Sequence, residues 1–203
     1  MLKLFIGAII AVTPASGLCV TYDELMSMAI NECPNAYWDQ VNEEIIENLV
    51  YIEENYFERY EISEGLRGML LAAACIESGY NPEARGDWAT AANGKKHARA
   101  RGIVQLWPWW SKKYKIDRDN YKDSAKAWMA HIVKQRHKIE KLRWCPAKFS
   151  DEKKWVVAWV QTARGRANRA NKYRCHEVPA HYKLLKKWHK QITTHKHSNA
   201  CEC

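Results

Sequence analysis

The chain has 203 residues, 47% of them hydrophobic, and carries 32 Lys and Arg against 23 Asp and Glu. This length fits one domain of ordinary size, and the apolar content excludes a disordered chain because it suffices to build a core. The formal charge of +9 points either to a polyanionic partner (nucleic acid, an anionic membrane surface or an acidic cell wall) or to helix faces solvated by Lys and Arg.

The chain opens with the layout of an export signal. Lys3 is followed by an apolar run over 4–12 and by the small residues Ala15, Ser16 and Gly17, which predicts cleavage near Gly17. The run is shorter than the ~20 apolar residues that a membrane span requires, so no stable membrane insertion is expected after cleavage. An uncleaved apolar helix is the competing reading, and Cys19 adds a lipid-anchor alternative. The 7 cysteines suit an exported protein, and no CxxC pair gives the common zinc or redox spacing. Disulfides are therefore expected, with one thiol left over. Cys75, inside the apolar run LLAAACIE, is the expected free thiol, and Cys145 and Cys175 are a candidate bridge.

Helical periodicity dominates the rest of the chain. Thr21 caps a helix reaching about Asn31, with Glu24 as capping-box partner, and Pro34 ends it. A second helix is predicted over 37–59 from Val41, Ile45, Leu49 and Ile52. Ser63 is expected to cap a third, through Leu66, Met69, Leu70, Ala73 and Ile76, that Gly79 and Pro82 end. Residues 80–101 form a long polar connection with room for a small hairpin, and a helical turn begins near Gly102 or Pro108. Asp123 or Ser124 opens a helix to about Leu142, with Ala127, Met129, His131 and Ile132 on its buried side. Asp151 opens another through Trp155, Val156, Trp159 and Val160 toward Gly165. Residues 179–193 read as a basic amphipathic helix, and 195–203, HKHSNACEC, as a flexible tail. The expectation is a mainly α single domain over 18–194, behind a signal peptide at 1–17, with a long loop or small β-hairpin after its most apolar helix. A loop of that length is functional or disordered; aromatic residues come directly after this one, which favours function.

Glu77 is the informative carboxylate. It ends the apolar run Leu70, Leu71, Ala72, Ala73, Ala74, Cys75 and Ile76. Apolar neighbours and the negative end of a helix both disfavour an ionised carboxylate, which suits a carboxyl meant to donate a proton to a glycosidic oxygen. A solvated glutamate at a helix end is the plain alternative.

The segments IESGYNPEARG and ARARGIVQLWPWW together resemble the soluble lytic transglycosylase and goose-type lysozyme superfamily. Glu77-Ser78, Asn81-Pro82, the run Gly102, Ile103, Val104, Gln105, Leu106, and Pro108 stand where that family has its Glu-Ser pair, its Asn-Pro and its Gly-Leu-Met-Gln-like segment ending in Pro. A third family segment, Ala-Tyr-Asn-Ala-Gly-Pro-Gly, is matched weakly by WVQTARG at 159–165. Aligned on Gly165, the family's Tyr becomes Val160 and its Asn becomes Gln161. The resemblance covers about 63–165.

The resemblance implies a lysozyme-like fold and cleavage of the MurNAc-GlcNAc β-1,4 bond of peptidoglycan by a lytic transglycosylase, leaving 1,6-anhydroMurNAc ends. Glu77 is the implied catalytic acid and base. Asp87, which comes after Gly86 as in goose-type lysozymes, is the second acid/base if the enzyme hydrolyses; the plain alternative is a turn aspartate. Gln105 is implied to bind substrate, and Ser78, Tyr80, Trp107 and Gln161 are further candidates. Ser78 either orients Glu77 or caps the helix. Tyr173 or Tyr182 is a candidate to replace the family tyrosine at Glu77. Trp107, Trp109, Trp110 and Tyr114 offer flat faces to sugar rings or pack in the core. Lys95, Lys96, His97, Arg99 and Arg101 make a basic flap over the glycan, or a solvated loop. The implied partner is the peptidoglycan glycan strand, met by an exported monomer. The chemistry calls for no cofactor or metal, although His195, His197, Cys201 and Cys203 carry ligand atoms. Two other classes compete: a non-catalytic glycan-binding wall protein, and a basic nucleic-acid binder, against which the export signal argues.

Overall fold

A computed structural model describes residues 20–36, 42–141, 149–163 and 179–200. Seven helices and one antiparallel hairpin make up the described residues: α1 (Tyr22–Glu32), α2 (Glu43–Tyr60), α3 (Met69–Ser78), β1 (Arg85–Thr90), β2 (Lys96–Arg101), α4 (Pro108–Tyr114), α5 (Tyr121–Ile139), α6 (Asp151–Ala163) and α7 (Ala180–Ala200). The fold is mainly α with a small β-hairpin after α3.

Local chemistry sets several of these boundaries. The Thr21–Glu24 capping box opens α1, and the side chains of Asn42 and Asn120 accept amide hydrogens at the starts of α2 and α5. Pro108 stands in the first turn of α4, where a missing N–H costs nothing.

Helix α3 is central. Met69 through Cys75 are all buried, and the helix packs against α1, α2 and α7, while α5 packs on α2 and α6. A segment this uniformly apolar has no solvent face to keep, so it belongs in the middle of a bundle. Its start corrects the expected cap. Ser63 leads only into a single 3-10 turn over Glu64–Leu66 and makes no side-chain cap, and α3 begins after Gly68, whose φ is 91°. The cap comes instead from α2. Glu53, fully buried, accepts from the amides of Gly68 and Leu70 (2.6 Å for Leu70) and from the Tyr22 hydroxyl at 3.2 Å. Burial pushes its carboxyl up to about 7, against the opposing pull of those hydrogen bonds.

Two further expectations are corrected. Cys75 is not a free thiol: it is bridged to Cys33, which lies 42 residues earlier at the end of α1. Residues 195–200 are not a loose tail, because α7 continues to Ala200. Ile192 is buried and Lys196 pairs with Glu24 at 2.9 Å, which ties the last turns to α1. Cys145, Cys175, Cys201 and Cys203 lie outside the described residues, as does the predicted signal.

Candidate functional site

Glu77 stands in the last turn of α3, and the end of that helix is built with little freedom. Gly79 has φ 60° and its amide donates back to Cys75, while Tyr80 donates to Ala74, so the helix closes on a left-handed glycine cap. A Cβ at Gly79 would lie 2.0 Å from the Asn35 carbonyl oxygen, so only glycine fits there. Asn35 returns the contact through Nδ2, which donates to the Ile76 carbonyl at 2.8 Å. The Cys33–Cys75 bridge and this bond hold the Pro34–Asn35–Ala36 strip against the end of α3.

That strip forms one wall of an open cleft of about 470 Å³. Ile76, Glu77 and Ser78 form its floor, and Ala84, Arg85, Gly86 and Gln105 its other wall. Gln105 reaches the cleft from a tight turn at the end of β2, where Arg101 and Leu106 pair across Gly102–Gln105. Gln105 has φ 45° and its Nε2 donates to the Gly102 carbonyl at 2.9 Å. Its Oε1 would lie 2.5 Å from a Cβ at residue 86, so Gly86 leaves the room that the carboxamide occupies. Ser78 Oγ donates toward the Ile103 carbonyl at 2.8 Å and the Ala74 carbonyl at 3.1 Å. It therefore fastens the end of α3 to the turn that carries Gln105. Glu77, Ser78 and Gln105 thus converge on one cleft, although the whole hairpin separates them in sequence.

The immediate neighbour of Glu77 leaves no mark in the sequence around it. His181, from the first turn of α7, places Nε2 2.9 Å from Glu77 Oε1. The ring is 6% exposed against 30% for the Glu77 side chain. It stacks on Trp159 of α6 at 6.0 Å between centroids, 13° from parallel. His181 Nδ1 is buried with no hydrogen-bond partner among the described residues. Glu77 therefore sits at a polar mouth, beside Asn35, Arg85, Gln105 and His181, rather than inside the apolar surroundings that its sequence neighbours suggest. Leu70 to Cys75 are buried in the core, whereas Ile76 is half-buried at the cleft and the Glu77 carboxyl leaves the core.

Other expected residues fall elsewhere. Asp87, with φ 49°, accepts from Trp107 Nε1 at 2.9 Å and does not line the cleft. Trp107 is 38% exposed beside it, with the Arg99 guanidinium 5.7 Å from its ring. Tyr80 is corrected as a substrate contact. Its φ of 65° turns the chain back after Gly79, and the ring is buried in the core at 1% exposure. Gln161 is also corrected: it is buried within α6, off the cleft, with Oε1 unpartnered among the described residues. Tyr182 does not reach Glu77; its hydroxyl donates to Glu152 at 2.9 Å. Tyr173 and Gly165 lie outside the described residues.

Trp109, Trp110 and Tyr114 pack around His131 of α5. Burial first, and Lys113 second, push that histidine down to about 3, as suits a neutral core imidazole. The basic flap is the hairpin itself. Lys95, Lys96, His97 and Arg99 are exposed, and Arg101 lies 3.4 Å from Asp119. Among the described residues no group of three His, Cys, Asp or Glu is placed to hold a metal ion.

No protein-family model, curated protein or solved structure matches the chain.

Proposed function

We propose that this protein cleaves the β-1,4 bond between MurNAc and GlcNAc in peptidoglycan, as an exported lytic transglycosylase. The observation that carries the reading is the meeting of Glu77 and Gln105 in one open cleft, at the end of a buried helix. In the proposed reaction the Glu77 carboxyl gives its proton to the GlcNAc O4 as the C1–O4 bond breaks. The MurNAc O6 attacks C1, and its proton passes to the Glu77 carboxylate. The carboxyl is regenerated, no water is consumed and the product is a 1,6-anhydro ring. Because the nucleophile belongs to the substrate, one protein carboxylate is enough, whereas ordinary glycoside hydrolysis uses two.

The geometry around Asp87 favours this route over hydrolysis, since its carboxylate is engaged by Trp107 and stands off the cleft. Gln105 supplies an amide able to donate to and accept from sugar hydroxyls or the N-acetyl group. The basic hairpin and the net charge suit an acidic wall, and the N-terminal layout of Lys3 and the apolar run suits export. Digestion of purified peptidoglycan sacculi, with mass spectrometry of the fragments, tests the proposal. Anhydro ends are expected; reducing ends mean hydrolysis and contradict it.

A further inference from the structure

We infer that His181 is the positioning residue of Glu77, assigning the carboxyl's two oxygens to different tasks, and this rests on the glycan-cleaving function proposed for the same cleft. His181 Nε2 and Glu77 Oε1 lie within hydrogen-bond distance, and the imidazole is buried and stacked on Trp159. A ring held in this way has little rotational freedom, so the oxygen it grips is fixed as well.

The tautomer is set by the other nitrogen. His181 Nδ1 has no partner among the described residues. A buried N–H without an acceptor costs more than a bare lone pair that lacks a donor, so the proton of the neutral ring belongs on Nε2, where it is donated to Oε1. Oε1 is then committed as an acceptor. The acidic proton of a neutral Glu77 carboxyl must reside on Oε2, which has no hydrogen-bond partner among the described residues and belongs to a side chain that lines the cleft. Oε2 thus both delivers the proton to the leaving oxygen and takes up the proton of the attacking hydroxyl, while Oε1 never leaves His181.

Two variants test the assignment. His181→Phe keeps a flat ring against Trp159 and removes the nitrogen; His181→Gln restores an N–H donor at similar reach. On purified sacculi, His181→Phe is expected to lower kcat ~10- to 100-fold with KM within about threefold, as for a misplaced catalytic group. His181→Gln is expected to recover at least about tenfold of that loss, and both variants should melt near the parent. Parental kcat in His181→Phe, a change confined to KM, or no recovery in a well-folded His181→Gln overturns the inference. Nitrogen NMR of the His181 imidazole reads the bond without activity: its Nε2 signal should move on Glu77→Gln and stay fixed on Gln105→Ala. An Nε2 signal indifferent to Glu77→Gln also overturns the inference. A parent that releases no fragments from sacculi while this signal responds would instead fault the proposed function.

Discussion

Helix α3 carries a functional contrast between its two ends. At its N-terminus, Glu53 is wholly buried, its oxygens engaged by the amides of Gly68 and Leu70 and by Tyr22. At its C-terminus, Glu77 is 30% exposed, with one oxygen 2.9 Å from His181 Nε2 and the other without a partner among the described residues. The first carboxyl is perturbed by burial but has no path to a ligand; the second faces a cleft. A shifted carboxyl by itself therefore does not mark a catalytic site. What separates the two is an oxygen that has no partner among the described residues, on a side chain that lines an open cleft.

The contrast breaks most visibly at the buried end. Glu53→Ala leaves two amides without acceptors, which should cost about 3 kcal/mol or more in chemical denaturation. Opening the Cys33–Cys75 bridge by the paired change to Ser should cost about 2–4 kcal/mol. It should also reduce sacculus digestion at temperatures where the fold survives, because the Pro34–Ala36 wall is no longer fastened. Glu77→Gln, by contrast, should unfold within about 1 kcal/mol of the parent, as expected for a part-exposed side chain.

Glu53 also sets a pH dependence. Its folded value of about 7 lies above the ordinary 4.5, so the folded state holds the proton more tightly than the unfolded one. Its contribution is full below about pH 4.5 and is lost as pH rises through about 7. Glu53→Gln should flatten that slope in melting curves recorded across this window. Gln105→Ala should raise KM for glycan up to about tenfold with a smaller change in kcat, the scale of one lost hydrogen bond. Asp87→Asn should have the smallest effect, within about threefold in rate, since an amide oxygen still accepts from Trp107. A loss above about 100-fold would instead make Asp87 a working acid/base.

Legibility tracks sequence distance. The Thr21–Glu24 box and the Gly79 stop are local devices and can be read directly. The Glu-Ser and Gln segments point to one site through the family resemblance, and the fold brings Glu77, Ser78 and Gln105 together. The third helix starts later than its pattern suggests because its cap, Glu53, comes from another helix. The apolar setting of Cys75 hides a partner 42 residues away. Tyr80 is close to Glu77 in sequence, but a left-handed φ after Gly79 turns it inward, out of the cleft. The end of α7 has the composition of a loose tail, yet the Glu24–Lys196 pair joins it to nearly the opposite end of the described chain. Neither His181 nor Asn35 carries any local signal, since each acts on α3 only through tertiary packing.

The most direct test of the central claim is the rate at which Glu77→Gln releases soluble glycan from purified sacculi, measured on protein whose melting matches the parent. Loss of a general acid predicts a fall of about 10²- to 10⁴-fold. Release at the parental rate would mean that the proton comes from another group, and the cleft at the end of α3 would not be the site of the chemistry.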